Sequence, residues 1–302
     1  MAAAKDMSFI DHLEELRWHL IRSLIAVVVF AVAAFMAKDL VFHDIILGPS
    51  RTDFWTYRLL CQWGAYIGSD AICIEELPFI LQSRQMSAQF TMHITTSFVV
   101  GLICAFPYVF WEIWRFISPA LYDKERNVSG GAVFFVSVLF MVGTLFGYYF
   151  VAPLSINFLA NYQLDPSIVN EFDVNSYIST LTMLVLACAL MFQLPVVVLF
   201  LTKIGVATPA SMRAYRKISI VIILIVSAVI TPPDVMSQIL ISLPLMLLYE
   251  ISIYLSAIIL RRQRKEEAAH LKAMEERERL YEEQQKRLEE PKKQLPIDQQ
   301  FD

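Results

Sequence analysis

Five stretches of this chain, near residues 18–37, 90–113, 132–152, 177–201 and 236–260, are long and apolar enough to cross a lipid bilayer. A hydrocarbon layer about 30 Å thick requires about 20 apolar residues per helix, and every backbone polar group inside it must find a partner within the protein. The runs are continuously apolar, without the period of two that barrel strands show, so helices satisfy them. A sixth run, between Lys217 and Thr231, is too short for an undistorted bilayer and implies local thinning. Composition points the same way: 57% of the 302 residues are hydrophobic and 18% charged, where a soluble domain is about a quarter charged. The expected fold class is an all-α integral membrane protein with six transmembrane helices over residues 1–260.

The net charge of −4 conceals a segregation. Residues 261–302 carry eleven Lys/Arg and eleven Asp/Glu. A segment this polar cannot bury a core, and its Glu-to-Lys/Arg spacing is that of a solvated helix, so it reads as a charged tail, helical or disordered. Orientation follows from the short loops. Arg115, Lys124 and Arg126 follow the second span, and Lys203, Arg213, Arg216 and Lys217 follow the fourth; Lys5, Arg17 and Arg22 begin the chain. Residues 153–176 carry only Asp165, Glu171 and Asp173. Both termini are therefore expected in the cytoplasm, with 38–88 and 153–176 outside. Ala31-Val32-Ala33 resembles a leader cleavage site, but the acidic flank and the continuing apolar run argue against cleavage. The sequence has no phosphate loop, metal-ligand cluster or basic stretch for nucleic acid, and no cofactor is expected.

Phe9, Leu13, Leu16 and Leu20 recur at helical spacing behind Ser8, a residue suited to an N-cap. They predict an amphipathic helix entering the first span, with Glu14, Glu15 and Arg17 on its solvated face. In the loop RFISPALYDKER, residues 115–126, Pro119 ends the helix. Phe116, Leu121 and Tyr122 form an interfacial patch there, and Glu125 and Arg126 stand at the boundary; by itself this reads as an anchored connecting loop. Gln193 and Glu250 fall inside spans, where polar groups are costly and functional by default, although hydrogen bonding between helices would also explain them. With Pro107, Pro195 and Pro244 as breaks, they leave open a secondary transporter of a small solute. In TPPDVMSQ, residues 231–238, Asp234 is placed to cap the sixth run. Cys104 and Cys188 lie in spans as apolar fillers, whereas Cys61 and Cys73 share the outer loop, where an oxidising compartment lets them pair.

Taken in order, HLEELR at 12–17, FISPALYDKER at 116–126, FQLP at 192–195, KIGVATPASMRAYRK at 203–217 and TPPDVMSQ at 231–238 resemble the TatC family, the signal-peptide receptor of the twin-arginine protein translocase. The likeness covers about residues 8–260; the tail and the cysteine-bearing loop lie outside the pattern. It implies a multi-pass protein of the bacterial cytoplasmic membrane, not an enzyme. Such a protein binds twin-arginine signal peptides of folded cargo and assembles into an oligomeric complex with TatA/TatB-type single-span subunits, drawing on the membrane potential. It further implies that Glu15 and Glu125 hold the guanidinium groups, beside Arg17 and with Phe116 against the apolar part of the peptide. Thr231, Asp234 and Gln238 would help dock the partner subunits. Gln193 stands where the family has Glu or Gln, and this neutral form weighs against a proton relay.

Overall fold

The computed structural model describes residues 9–68, 73–74, 76–117, 129–165, 167–168, 170–230 and 235–289. Helix α1 (Phe9–Met36) is followed by a π-helical turn (Asp39–Ile46) and a short helix outside the bundle, α2 (Trp55–Ile67). Helix α3 (Ala88–Ile117) returns along α1. Helix α4 (Ser129–Phe146) continues through a second π turn (Gly147–Val151) into α5 (Ala152–Asn161). Helix α6 (Val174–Met191) and helix α7 (Leu194–Lys203) form the next crossing. A short connecting helix, α8 (Pro209–Ala214), leads to α9 (Arg216–Ile230) and then α10 (Val235–Glu289). Five segments have the length and hydropathy of membrane spans; α9, with 15 residues, is the short sixth. Beyond the helices, β1 (Ile80–Gln82) pairs in parallel with β2 (Glu171–Asp173), a small ladder that joins the two loops at one end of the bundle.

The α1–α3 contact is close because small residues face each other: a Cβ on Gly101 would lie 2.5 Å from the Ala31 backbone nitrogen. Between spans in lipid there is no hydrophobic driving force, and such approach is how they gain packing energy. Gly143 plays the same part against Phe192 of the fourth span. One core cluster near the ladder gathers Val41, Ile46, Ile156, Tyr177 and Leu181. The second, formed by Val151, Leu184, Phe192, Ile223 and Leu245, locks α9 onto its neighbours.

Of the three prolines read as breaks, only Pro195 sits at one. The fourth span is interrupted at Phe192–Gln193, because a proline ring at 195 clashes with the carbonyl of residue 191 and supplies no N–H. Helices α3 and α10 run through Pro107 and Pro244 without interruption, which corrects the reading of broken spans there. The tail does not start as a separate unit. Helix α10 continues to Glu289, and its residues beyond 260 are almost all exposed, as alternating charges on a solvated helix require.

Candidate functional site

The first turns of α1, the end of α3, the α7–α9 connection and the middle of α10 lie toward one end of the bundle. This end holds Arg17, Arg22, Arg115, Lys203, Arg213, Arg216 and Lys217. Glu15 is exposed on α1, as are Glu14 and Arg17, which face each other at 3.6 Å. The Arg17 guanidinium also lies 5.6 Å from the Trp18 ring. Phe116, in the last turn of α3, is half-buried, and its ring meets His19 of α1 edge to face at 6.0 Å. Glu125 lies outside the described residues, as do Thr231 and Asp234. Glu15, Arg17 and Phe116 thus occupy neighbouring turns of two packed helices.

Beneath them lies a network that the sequence reading missed. Glu112 is 1% exposed and His19 8%. His19 Nδ1 and Glu112 Oε2 are hydrogen-bonded, and the Tyr108 hydroxyl donates to Glu112 Oε1 at 3.0 Å. Ser23 Oγ donates to the His19 carbonyl at 2.9 Å. Arg22 is within electrostatic reach of Glu112, and Arg115 of Tyr108. A signal did exist: Glu112 is the single acidic residue in the apolar run 90–113, and ionisable groups inside spans call for partners.

The other polar candidates separate. Glu250 is not a lone carboxyl in hydrocarbon, as its place in the last run implied. It accepts a 2.7 Å bond from Arg216, and both side chains are about half exposed. The short α9 begins at Arg216 and brings this cation level with Glu250. Nearby, Tyr249 donates to the Met212 carbonyl and accepts from Ser219, while Thr202 and Ser256 hydroxyls meet at 2.8 Å. At the opposite end of α9, the Gln238 amide donates to the Leu224 carbonyl at 3.1 Å. Gln193 sits at the break in the fourth span, with its amide 3.4 Å from the Val136 carbonyl and its Oε1 buried without a partner. Cys61 and Cys73 are disulfide-bonded, tying α2 to the segment before β1, whereas Cys104 and Cys188 are free. Tyr57 of α2, fully buried, donates to the carbonyls of Pro49 and Pro153. Burial pushes its phenol pKa up. Asp165, in the outer loop, has a carboxyl held low by hydrogen bonds from Ser167. Among the described residues no cluster of His, Cys, Asp or Glu is arranged to hold a metal.

Comparison with known proteins gives one consistent result. The family model for the Sec-independent protein translocase protein TatC matches residues 11–244. The chain is 37% identical over 260 residues to Sec-independent protein translocase protein TatC of Blattabacterium sp. subsp. Periplaneta americana, covering 85% of this chain and 98% of that one. With the TatC of Aquifex aeolicus it shares 34% identity, over 86% of this chain and 98% of that one. Its likeness to TatCy of Bacillus subtilis is 30% over 87% and 94%. The solved crystal structure of "Twin Arginine Translocase Receptor- TatC in DDM" superposes with a TM-score of 0.64 at 34% identity, covering 81% of this chain and 99% of that chain.

Proposed function

Because this chain belongs to the TatC family of Sec-independent protein translocase proteins, we propose that its basic end is where the receptor subunit of a twin-arginine translocase reads signal peptides. The protein is a multi-pass membrane protein with helices of spanning length, and the basic end is the cytoplasmic one, since short loops rich in Lys and Arg stay inside. Two adjacent arginines are held best by carboxylates in bidentate contact. Glu15 is one such carboxylate and Glu125 the other, with Arg17 alongside and Phe116 offering its ring to the apolar part of the peptide.

The observation that carries this reading is the contact of Phe116 with His19, one helical turn from Glu15. Residues about a hundred positions apart in sequence are brought together at one end of the bundle by the α1–α3 packing and by the ring contact between His19 and Phe116. Gln238, at the opposite end of α9, together with its sequence neighbours Thr231 and Asp234, is the docking place for single-span partners of the TatA/TatB type, where α9 is short and the bilayer thins around it. Gln193, an intramembrane polar residue at the break in the fourth span, is a further position for those partners to pack against. The chain acts as receptor and assembly scaffold, and the membrane potential supplies the drive for transport.

The test is binding of a synthetic Arg-Arg signal peptide to the full-length protein in membranes. Glu15→Ala and Glu125→Ala each abolish or strongly weaken binding while the protein still inserts and accumulates. Wild-type binding by both variants, together with wild-type export, overturns the site.

A further inference from the structure

The proposed site stands on two supports, the start of α1 and the end of α3, and what holds them in register decides its geometry. We propose that the buried His19–Glu112 pair, completed by Tyr108, is the positioning element of the signal-peptide site. This rests on the receptor reading above.

The argument begins from spacing. Glu15 and His19 are four residues apart on α1, and Glu112 and Phe116 four apart on α3; on a helix, residues at that separation are direct neighbours on one face. Each member of the pair therefore sits one turn below a residue of the proposed site, and His19 meets Phe116 in the ring contact that joins the two layers. Burial adds the second step. A carboxyl and an imidazole nearly removed from solvent cost free energy unless they are fully paired. Here both carboxyl oxygens are satisfied, Oε2 by His19 and Oε1 by Tyr108.

Register is the third step. The Gly101–Ala31 approach brings the two helices close, but apolar contact in lipid tolerates sliding and rotation. A hydrogen-bonded pair does not, since a slip of one residue turns a helix by about 100° and shifts it about 1.5 Å, which would leave Glu112 buried and unpaired. The pair thus selects one alignment of α1 on α3, and with it one separation between Glu15 and Phe116. The grip of Glu15 on a guanidinium while Phe116 meets the apolar part of the same peptide depends on that separation, because functional constellations lose effect when displaced by about 1 Å.

The experiment is peptide binding by the full-length protein in membranes, using the synthetic Arg-Arg signal peptide. The variants are Glu112→Gln, His19→Gln and the milder Tyr108→Phe, each alone and combined with Glu15→Ala. Glu112→Gln and His19→Gln are expected to weaken binding about tenfold, with Tyr108→Phe between them and the wild type, at unchanged membrane accumulation. In the Glu15→Ala background the same changes add almost nothing, because they act through Glu15 and its surroundings. Losses that add fully to that of Glu15→Ala, or that track falling accumulation in all three variants, assign the pair to general folding and overturn the proposal. If Glu15→Ala loses binding while all three variants keep it, the positioning role alone fails. If Glu15→Ala itself binds as the wild type does, the receptor reading fails first.

Discussion

The carboxylate of Glu15 is exposed, and among the described residues no cation is paired with it, since Arg17 is turned toward Glu14 at 3.6 Å. Exposed ion pairs contribute only about 0–1 kcal/mol to folding, so substitution there spares the fold. A charge-assisted contact to an incoming guanidinium is stronger, about 1.5–3 kcal/mol. Glu15→Gln is therefore expected to bind the Arg-Arg peptide nearly as poorly as Glu15→Ala, because it keeps shape and loses charge. A Lys-Lys peptide should bind the wild type poorly, since a point charge lacks the planar fork; equal affinity for the two peptides would contradict carboxylate pairing. Gln238 presents a different case, as its amide already bonds the Leu224 carbonyl and clips α9 to α10. Gln238→Leu should lower co-purification of the single-span partner and export of a twin-arginine cargo. If both are unchanged in protein that accumulates normally, the docking assignment is wrong.

At the level of elements, the α1–α3 pair is the most exacting contact because its closeness depends on one missing side chain. Any Cβ at 101 meets the backbone of Ala31, not the tip of a flexible side chain, so the helices themselves must part. Gly101→Leu is expected to cost about 1–3 kcal/mol as overpacking, read as reduced accumulation, and to disturb peptide binding at the far end of the same helices. Normal levels and normal binding would show that the interface can open without consequence. The outer helix α2 is held twice, by the buried Tyr57 hydroxyl and by the Cys61–Cys73 bond. Under denaturing, non-reducing conditions a thiol-reactive polymer should therefore count two free thiols per chain, Cys104 and Cys188; a count of four would remove the bond from the native protein.

For the whole molecule, the distribution of charge and the parallel β1–β2 ladder make the same division. The ladder joins the segments around 80–82 and 171–173 at one end, and the basic loops lie at the other. A cysteine introduced by Asp165→Cys in an otherwise unreactive background should react with an impermeant reagent from outside the cell. Reaction from the cytoplasmic side alone would invert the orientation. The Arg216 end of the short α9, paired with Glu250, lies at the same end of the bundle as the basic loops. That pairing explains how a carboxyl read as lying deep in a span is accommodated: the preceding helix, α9, begins at Arg216 and brings a guanidinium to it.

Hydropathy alone was enough for the order and approximate limits of the long spans, because in lipid most residues of a crossing must be apolar and the signal runs for about twenty residues at a time. The basic loops were legible for a similar reason, as charge bias acts through local sequence. The break at Gln193 could be anticipated from Pro195, while Pro107 and Pro244 passed inside unbroken helices, since neighbouring helices can satisfy a carbonyl that proline leaves free. The pairing of His19 with Glu112, of Arg216 with Glu250 and of Gln238 with the Leu224 carbonyl could not be read along the chain. Each joins different helices, and which face of one helix meets which face of another is decided by close packing and polar pairing between helices, not by the local pattern. Local sequence therefore specified the helices, and only the tertiary structure decided which polar groups they bury together, because burial makes an unpaired partner too costly to leave.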